Sequence, residues 1–247
     1  MPKRLSMIAL GLILLAAGAL GGWLWQSRMA DPAASLASAD RAAIEQVVRE
    51  YILSHPEILP EAMENLRRRE TAKQLSGVKG DVEKPFPGAI LGNPDGKVTL
   101  VEFTDFACTY CKQSVEDVDA LIAANKDLRV VVRELPILSP ESEEAARWGL
   151  AAAEQGKYGQ FHRAMFAAGR PSRETIEAVA ASIGMDLDRA RRFAADPRVD
   201  AELARNLELA RQLGFNGTPS WVVGEEMLSG AVGKDELARA IAAASGG

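Results

Sequence analysis

Two cysteines carry the chemistry that the sequence suggests most directly. Cys108 and Cys111 are the 2 cysteines of the 247-residue chain, and a threonine and a tyrosine separate them. So close a pair cannot supply the several bridges that hold small secreted scaffolds together. Three uses of the pair compete: a redox-active dithiol, part of a metal site, and a structural bridge.

The surroundings of the pair favour the redox use. A tetrahedral zinc site needs four ligands, and the sequence adds only His55 and His162, which lie in different predicted helical regions. A bridge across so short a loop restricts the unfolded chain little. We therefore expect a redox disulfide between Cys108 and Cys111, with no metal and no further cofactor.

A predicted strand precedes the pair and a predicted helix follows it. Residues 98–103 are mostly β-branched or apolar, whereas the apolar positions after Cys111 recur with helical spacing. A thiol at a helix N-terminus faces unpaired backbone N–H groups and the positive end of the helix dipole, which stabilise a thiolate. Cys108 is therefore predicted to be the nucleophile, and Cys111, one turn further on, the resolving thiol.

The order of the later elements predicts an α/β fold. A second strand at 128–134 completes a βαβ unit, for which parallel strands are expected. Four or five helices are predicted in the alanine-rich region of about 140–213, one of them beginning at Asp196 and Pro197. Two hairpin strands and a terminal helix are predicted at 220–223, 227–229 and 234–244.

The first 30 residues predict export. Lys3 and Arg4 precede an uncharged run over residues 7–25, close to the minimum length that spans a bilayer. Tryptophans at the end of this run, and the distance to the nearest small-residue cleavage site at 37–39, favour an uncleaved inner-membrane anchor. A cleaved signal peptide is the alternative. Either form sends the remaining chain into an oxidising compartment.

Residues 31–83 are predicted to be a linker and two amphipathic helices separated at His55-Pro56. The apolar positions that recur with helical spacing are Ile44, Val47, Val48, Tyr51, Ile52, Leu59, Met63 and Leu66. A hairpin of roughly 30 residues cannot bury both stripes alone, so docking or oligomerisation must cover them. The glycine- and proline-rich stretch at 76–92 predicts a linker, and we place the start of the redox domain, 84–247, near Lys84.

Composition excludes one class of partner. The chain is 47% hydrophobic and 26% charged, with a formal net charge of -5. This is ordinary globular composition without the basic excess of a nucleic-acid-binding surface. We therefore expect no nucleic-acid partner.

The segment from Phe103 to Lys112, together with the helical insertion and Thr218-Pro219, resembles the DsbA-type periplasmic oxidoreductases over about residues 86–245. The resemblance implies a thioredoxin fold. It also implies that Glu102, six positions before the nucleophile, is a buried proton acceptor, since a carboxylate in a central strand is otherwise costly.

Four further residues are implied to bind substrate. The family has a cis-proline facing the disulfide, and Thr218-Pro219 matches it just before a strand. Thr109 and Tyr110, between the cysteines, complete this set. Strongly oxidising relatives carry proline and histidine at those two positions, so the missing imidazolium indicates weaker oxidising power. In having a threonine before this proline, the chain resembles the reductase and isomerase branch of the family more than the dedicated oxidases.

The two N-terminal helices resemble the segment through which ScsC-like proteins form trimers and act as disulfide isomerases. We therefore expect a periplasmic, membrane-tethered oxidoreductase that isomerises or reduces disulfides of exported proteins. The expected partners are those substrates, a membrane redox protein and further copies of the chain, three in a trimer. A dithiol oxidase is one alternative, and a chaperone or copper-handling module is another.

Overall fold

The computed structural model of the chain describes Gly18, Leu20 and residues 38–246. The predicted export segment, 1–30, therefore lies outside the described part apart from Gly18 and Leu20. Within the part that is described, no helix is both long and apolar enough to cross a membrane. The inner-membrane anchor stays a prediction from the sequence.

The chain divides into two units, residues 1–63 and residues 64–247. Helix α1 spans Ser38–Ser54 in the first unit, and α2, Ile58–Ser76, begins in that unit after the break predicted at His55-Pro56 and ends in the second. The apolar positions of the two helices lie largely on the surface of the single chain: Ile44, Val47, Val48, Tyr51, Leu59, Met63 and Leu66 are all exposed. Both helices are confirmed, and their apolar stripe is uncovered.

A five-stranded sheet forms the centre of the second unit. Its strands are β1 (Ile90–Gly92), β2 (Val98–Thr104), β3 (Leu128–Glu134), β4 (Ser220–Val223) and β5 (Glu226–Ser229). The strand order is β1-β3-β2-β4-β5; β2 and β3 are parallel and the other pairs antiparallel. The predicted βαβ unit and hairpin are confirmed.

Helices cover the sheet on both faces. They are α3 (Lys79–Val82), α4 (Thr109–Ala124), α5 (Pro140–Glu154), α6 (Tyr158–Ala168), α7 (Arg173–Ser182), α8 (Leu187–Ala194), α9 (Pro197–Gln212) and α10 (Lys234–Ser245). Helices α5 to α9 occupy the predicted insertion. Asp196 caps α9 by accepting the Arg198 N–H, with Pro197 in the first turn, as the sequence predicts.

Successive side chains of β2 point to opposite faces of the sheet and pack in two different cores. Leu100 packs in the core that contains both cysteines, whereas Val101 and Phe103 pack in a second core on the opposite face. Glu102 and Thr104 therefore face the same side as the cysteines.

The stretch predicted as a linker is packed instead. It contains α3 and β1, and Val82 is completely buried. The Arg133 guanidinium, buried on β3, donates to the carbonyls of Asp81, Val82 and Lys84 and so fixes this stretch to the sheet. These contacts join positions about 50 residues apart in sequence. The local glycine and proline content of residues 76–92 carries no information about such contacts.

Candidate active site

Cys108 is the N-cap of α4. Strand β2 ends at Thr104, and after a short turn the Cys108 Sγ accepts the backbone N–H of Cys111 at 3.4 Å. An N-cap side chain satisfies one of the unpaired donors of the first helical turn, and here a sulfur does so. The prediction that the pair joins a strand to a helix is confirmed.

The two thiols differ in access and in acidity. Cys108 keeps 7% of its surface exposed, whereas Cys111 keeps none. A hydrogen bond from the Cys111 side chain, more than the one from its backbone N–H, lowers the pKa of Cys108 to about 5. Burial is the main cause that raises the pKa of Cys111 above its ordinary value. At neutral pH the outer sulfur is therefore a thiolate and the inner one a thiol.

The segment before β4 lies against the outer sulfur. When Cys108 is protonated, its thiol donates to the Thr218 carbonyl at 3.2 Å. The Thr218-Pro219 peptide bond is cis, as the resemblance implies. Thr109 and Tyr110, in the first turn of α4, are exposed, with 63% of the Tyr110 surface accessible. The four predicted substrate-binding residues are thus the two that follow Cys108 in sequence and the two of the cis peptide whose Thr218 carbonyl contacts its sulfur.

Glu102 lies beneath the pair, in the middle of the sheet. It is opposite Val132 on β3 and Trp221 on β4, and it is buried. Its Oε2 has no hydrogen-bond partner among the described residues. Burial, with a smaller contribution from the charge of Cys108, raises the pKa of Glu102 to about 8. The carboxyl can therefore exchange a proton near neutral pH.

The sequence reasoning missed Asp105, which holds the active-site loops together. Its Oδ1 accepts the N–H of Ala107, and its Oδ2 accepts those of Ile137 and Leu138 at 2.9 and 3.0 Å. The turn that presents Cys108 is thereby tied to the loop after β3. An aspartate directly after a strand is typical of turns, so the sequence could have indicated that Asp105 stabilises the local turn. It could not have indicated the bonds to Ile137 and Leu138, which are more than 30 residues away.

The metal site considered as an alternative use of the two cysteines would need further ligands. His162 is completely buried in α6, and burial lowers its pKa to about 4. In residues 38–246, together with Gly18 and Leu20, no group of three or more histidine, cysteine, aspartate or glutamate side chains could hold a metal ion.

A thioredoxin-type sheet, a dithiol at a helix N-terminus and a threonine–proline segment against the outer sulfur define the class of thiol-disulfide oxidoreductases. The family model of the DSBA-like thioredoxin domain matches residues 99–242. This chain belongs to that family. A second model, the N-terminal domain of the copper resistance protein ScsC, matches residues 40–73.

Known proteins are similar to the chain over different lengths. A thioredoxin-like oxidoreductase from Silicibacter pomeroyi is 41% identical, with a TM-score of 0.62, covering 64% of this chain and 92% of that one. A linker-deletion mutant of Proteus mirabilis ScsC is 26% identical, with a TM-score of 0.65, covering 86% and 98%.

The curated relatives are longer proteins. A Na⁺/H⁺ antiporter, NhaA 3 of Salinispora tropica, is 31% identical over 158 residues, which are 63% of this chain and 24% of the antiporter. The chain thus spans about a quarter of the length of the curated relatives that it matches.

Proposed function

We propose that this chain exchanges thiols and disulfides in exported proteins through Cys108 and Cys111, as a disulfide isomerase or reductase. The observation that carries the proposal is the opposite shift of the two thiols: the pKa of Cys108 is lowered to about 5, and that of Cys111 is raised. Cys108 is the proposed attacking thiol and Cys111 the resolving thiol. Their disulfide is the redox group, and the proposal needs no other cofactor.

The exchange starts when the Cys108 thiolate attacks a substrate disulfide, which forms a mixed disulfide and releases one substrate sulfur as a thiolate. Cys111 then gives its proton to the Glu102 carboxylate and attacks the Cys108 sulfur. The Cys108–Cys111 disulfide forms, the second substrate thiolate leaves, and two electrons have passed to the substrate. Isomerisation occurs instead when a substrate thiolate attacks the mixed disulfide, which restores the Cys108 thiolate without net redox change.

Formation of the mixed disulfide prepares Glu102 for its role. The charge of the Cys108 thiolate contributes to the raised pKa of Glu102. That charge disappears when Cys108 is bonded to the substrate, so the pKa of Glu102 falls and more of it is ionised. A proton acceptor thus becomes available at the step that needs one.

Thr109, Tyr110, Thr218 and Pro219 are the proposed substrate contacts. Thr109 and Tyr110 directly follow Cys108 in sequence, and the Thr218 carbonyl contacts its sulfur. Tyr110 offers an exposed aromatic ring. An extended substrate segment beside Thr218 would form main-chain hydrogen bonds that do not depend on its sequence. Such recognition suits an enzyme that acts on many exported proteins.

The N-terminal helices support the isomerase direction. Residues 40–73 match the ScsC N-terminal domain, and their apolar stripe is exposed in the single chain. If the stripe joins copies of the chain, in a trimer for instance, several redox centres face one substrate at high effective concentration. The threonine before Pro219 supports the same direction.

A dithiol oxidase is the second candidate, and the acidity of Cys108 favours it. Its pKa of about 5 lies between the values of roughly 7 for thioredoxin and 3.5 for DsbA. A more stable thiolate makes the reduced form more stable and the disulfide more oxidising. The direction then depends on the membrane redox partner that either reduces or oxidises the pair.

We further propose a periplasmic location with an uncleaved inner-membrane anchor. The basic start and the uncharged run over residues 7–25 support export, and structural disulfides, the proposed substrates, persist in an oxidising compartment. Cleavage of the segment would leave the same domain soluble in that compartment.

Two measurements test the proposal. Trapping the thiols of Cys108 and Cys111 in intact cells should find them reduced for an isomerase or reductase, and oxidised for an oxidase. The Cys108→Ser variant should lose insulin reduction and the refolding of a scrambled disulfide protein. If the wild type lacks both activities, and its suppression of protein aggregation persists in Cys108→Ser, a chaperone that does not use the thiols would replace the proposal.

A further inference from the structure

Glu134, the last residue of β3, is a buried acid that the proposed exchange does not use. Its side chain is completely buried, and its Oε1 accepts the Tyr158 hydroxyl at 2.7 Å. Its Oε2 has no hydrogen-bond partner in the described part of the chain. A buried polar group in this state requires an explanation, because the lost hydration is not replaced.

The register of the sheet places Glu134 close to Glu102. Thr104 is directly opposite Glu134, and Glu102 is opposite Val132. Residues two apart on a strand share a face, so both carboxyls lie on the side of the cysteines, as diagonal neighbours on adjacent strands. Long side chains at such positions can reach each other.

The charges that face Glu134 are all acidic. Glu102 and Asp105 approach from β2 and the turn after it, and each raises the pKa of Glu134 when ionised. From α6 come Tyr158 and, one turn on, His162, which burial keeps neutral at pH 7.

Among the described residues, the other elements next to Glu134 supply no cation. The α5 backbone approaches at Gly149, where a Cβ would lie 3.0 Å from the Glu134 Oε1. Arg133, although adjacent in sequence, binds Glu202 and the α3 carbonyls through its guanidinium. An ionised Glu134 would therefore be an uncompensated buried charge, and burial raises its pKa well above the ordinary value.

The Tyr158 hydrogen bond determines which oxygen carries the proton. Because the hydroxyl donates to Oε1, the proton of a neutral Glu134 belongs on Oε2. That oxygen and the Oε2 of Glu102 are both without a partner. A hydrogen bond from one to the other would satisfy both.

We propose that Glu134 is a positioning residue of the redox centre, a protonated carboxyl held by Tyr158 that donates a hydrogen bond to Glu102 when Glu102 is ionised. The inference rests on the proposed exchange, in which Glu102 passes a proton to or from Cys111. A donor beside the carboxylate stabilises it, so Glu134 lowers the pH at which Glu102 becomes a proton acceptor.

The protonation state can be measured without turnover. At pH 9, infrared difference spectra of the reduced protein should contain a protonated-carboxyl band that disappears in Glu134→Gln and persists in Glu102→Gln. A spectrum without this band, or a band that Glu134→Gln leaves unchanged, would show that Glu134 is ionised and overturn the proposal. Because no substrate is involved, a failure of the proposed function would not alter this result.

The pH profile of mixed-disulfide resolution tests the link to Glu102. Glutamine keeps a donor and an acceptor, so Glu134→Gln should leave the midpoint of the profile within a few tenths of a unit. Glu134→Leu should move it upward by about one unit, a roughly tenfold loss of rate below the midpoint. Tyr158→Phe keeps the Glu134 carboxyl but removes the hydrogen bond that orients it, so this variant should also raise the midpoint of the profile. An unchanged midpoint in both Glu134→Leu and Tyr158→Phe would refute the positioning role.

Discussion

At the scale of single residues, hydrogen bonding rather than burial alone separates the acids of this site. Asp105 and Glu102 are equally buried, but Asp105 accepts three backbone N–H groups from the loops around it. In the described part of the chain the Oε2 of Glu102 has no hydrogen-bond partner, and the pKa of this carboxyl is raised to about 8. The first carboxyl fixes geometry, whereas the second is able to exchange a proton.

The raised pKa of Glu102 predicts how stability depends on pH. Because the folded reduced protein holds the proton more tightly than the unfolded chain, the contribution of Glu102 is complete below its ordinary pKa of 4.5 and is lost as the pH rises through about 8. Glu102→Gln removes this loss, so the variant should be more stable than the wild type at pH 8, by at most about 4 kcal/mol.

Urea unfolding of both reduced proteins from pH 4 to pH 9 measures the difference. The titration of His162 is common to both and cancels. The gap should widen with pH, while turnover of the variant falls because the proton acceptor is absent. A difference in unfolding free energy that does not change with pH would mean that burial does not raise the pKa of Glu102.

Residue types and spacing predicted the redox pair Cys108 and Cys111, whereas the role predicted for Glu102 came from the family resemblance and was supported by its charge inside an apolar strand. Glu134 is just as buried, but it stands at the end of its strand after Arg133, where charged residues are ordinary. Only the register between β2 and β3 brings it beside Glu102. Residues whose importance depends on pairing between strands are not visible from local patterns.

At the scale of elements, the buried Arg133 explains why residues 76–92 are packed and not a free linker. Its guanidinium satisfies carbonyls of α3 and the residues after it, and it pairs with Glu202 of α9 at 2.8 Å. One side chain therefore connects three parts of the chain to β3. The helical periods and the strand patterns of the fold were readable from the sequence, but this connection was not.

Replacing Arg133 tests that connection. Arg133→Met should lower the free energy of unfolding by about 3–5 kcal/mol, because Glu202 and several carbonyls lose their partner. Arg205 also binds Asp81 of α3, but on the surface, so Arg205→Met is the matched control with an expected loss of at most about 1 kcal/mol. Urea unfolding gives both values. Equal losses would contradict the role of the buried guanidinium.

At the scale of the whole molecule, the redox unit contains its own core, whereas the N-terminal helices do not. The second unit, residues 64–247, holds both apolar clusters, and Leu75 belongs to one of them. The apolar stripe of α1 and early α2 is instead exposed, with 72% of the Met63 surface accessible. Exposed apolar surface of this extent is typical of interfaces.

Removing residues 36–63 should therefore leave a folded enzyme that still reduces insulin but no longer isomerises disulfides. The cut ends at Met63 because Leu75 and Val82 are buried in the redox unit and must be kept. Light scattering should give a monomer for the truncated form and an oligomer for the longer soluble form, and the rate of refolding of a scrambled disulfide protein should fall with it.

A point substitution separates assembly from the loss of chain. Val47→Glu puts a charge on the stripe, whereas Arg49→Glu changes charge on the polar side of the same helix. We expect Val47→Glu to behave like the truncated form, because burying an unpaired carboxylate between copies is costly, and Arg49→Glu to remain an oligomeric isomerase. A monomeric parent, or a truncated form that isomerises equally well, would mean that one redox unit suffices, and the oxidase or reductase direction would replace isomerisation.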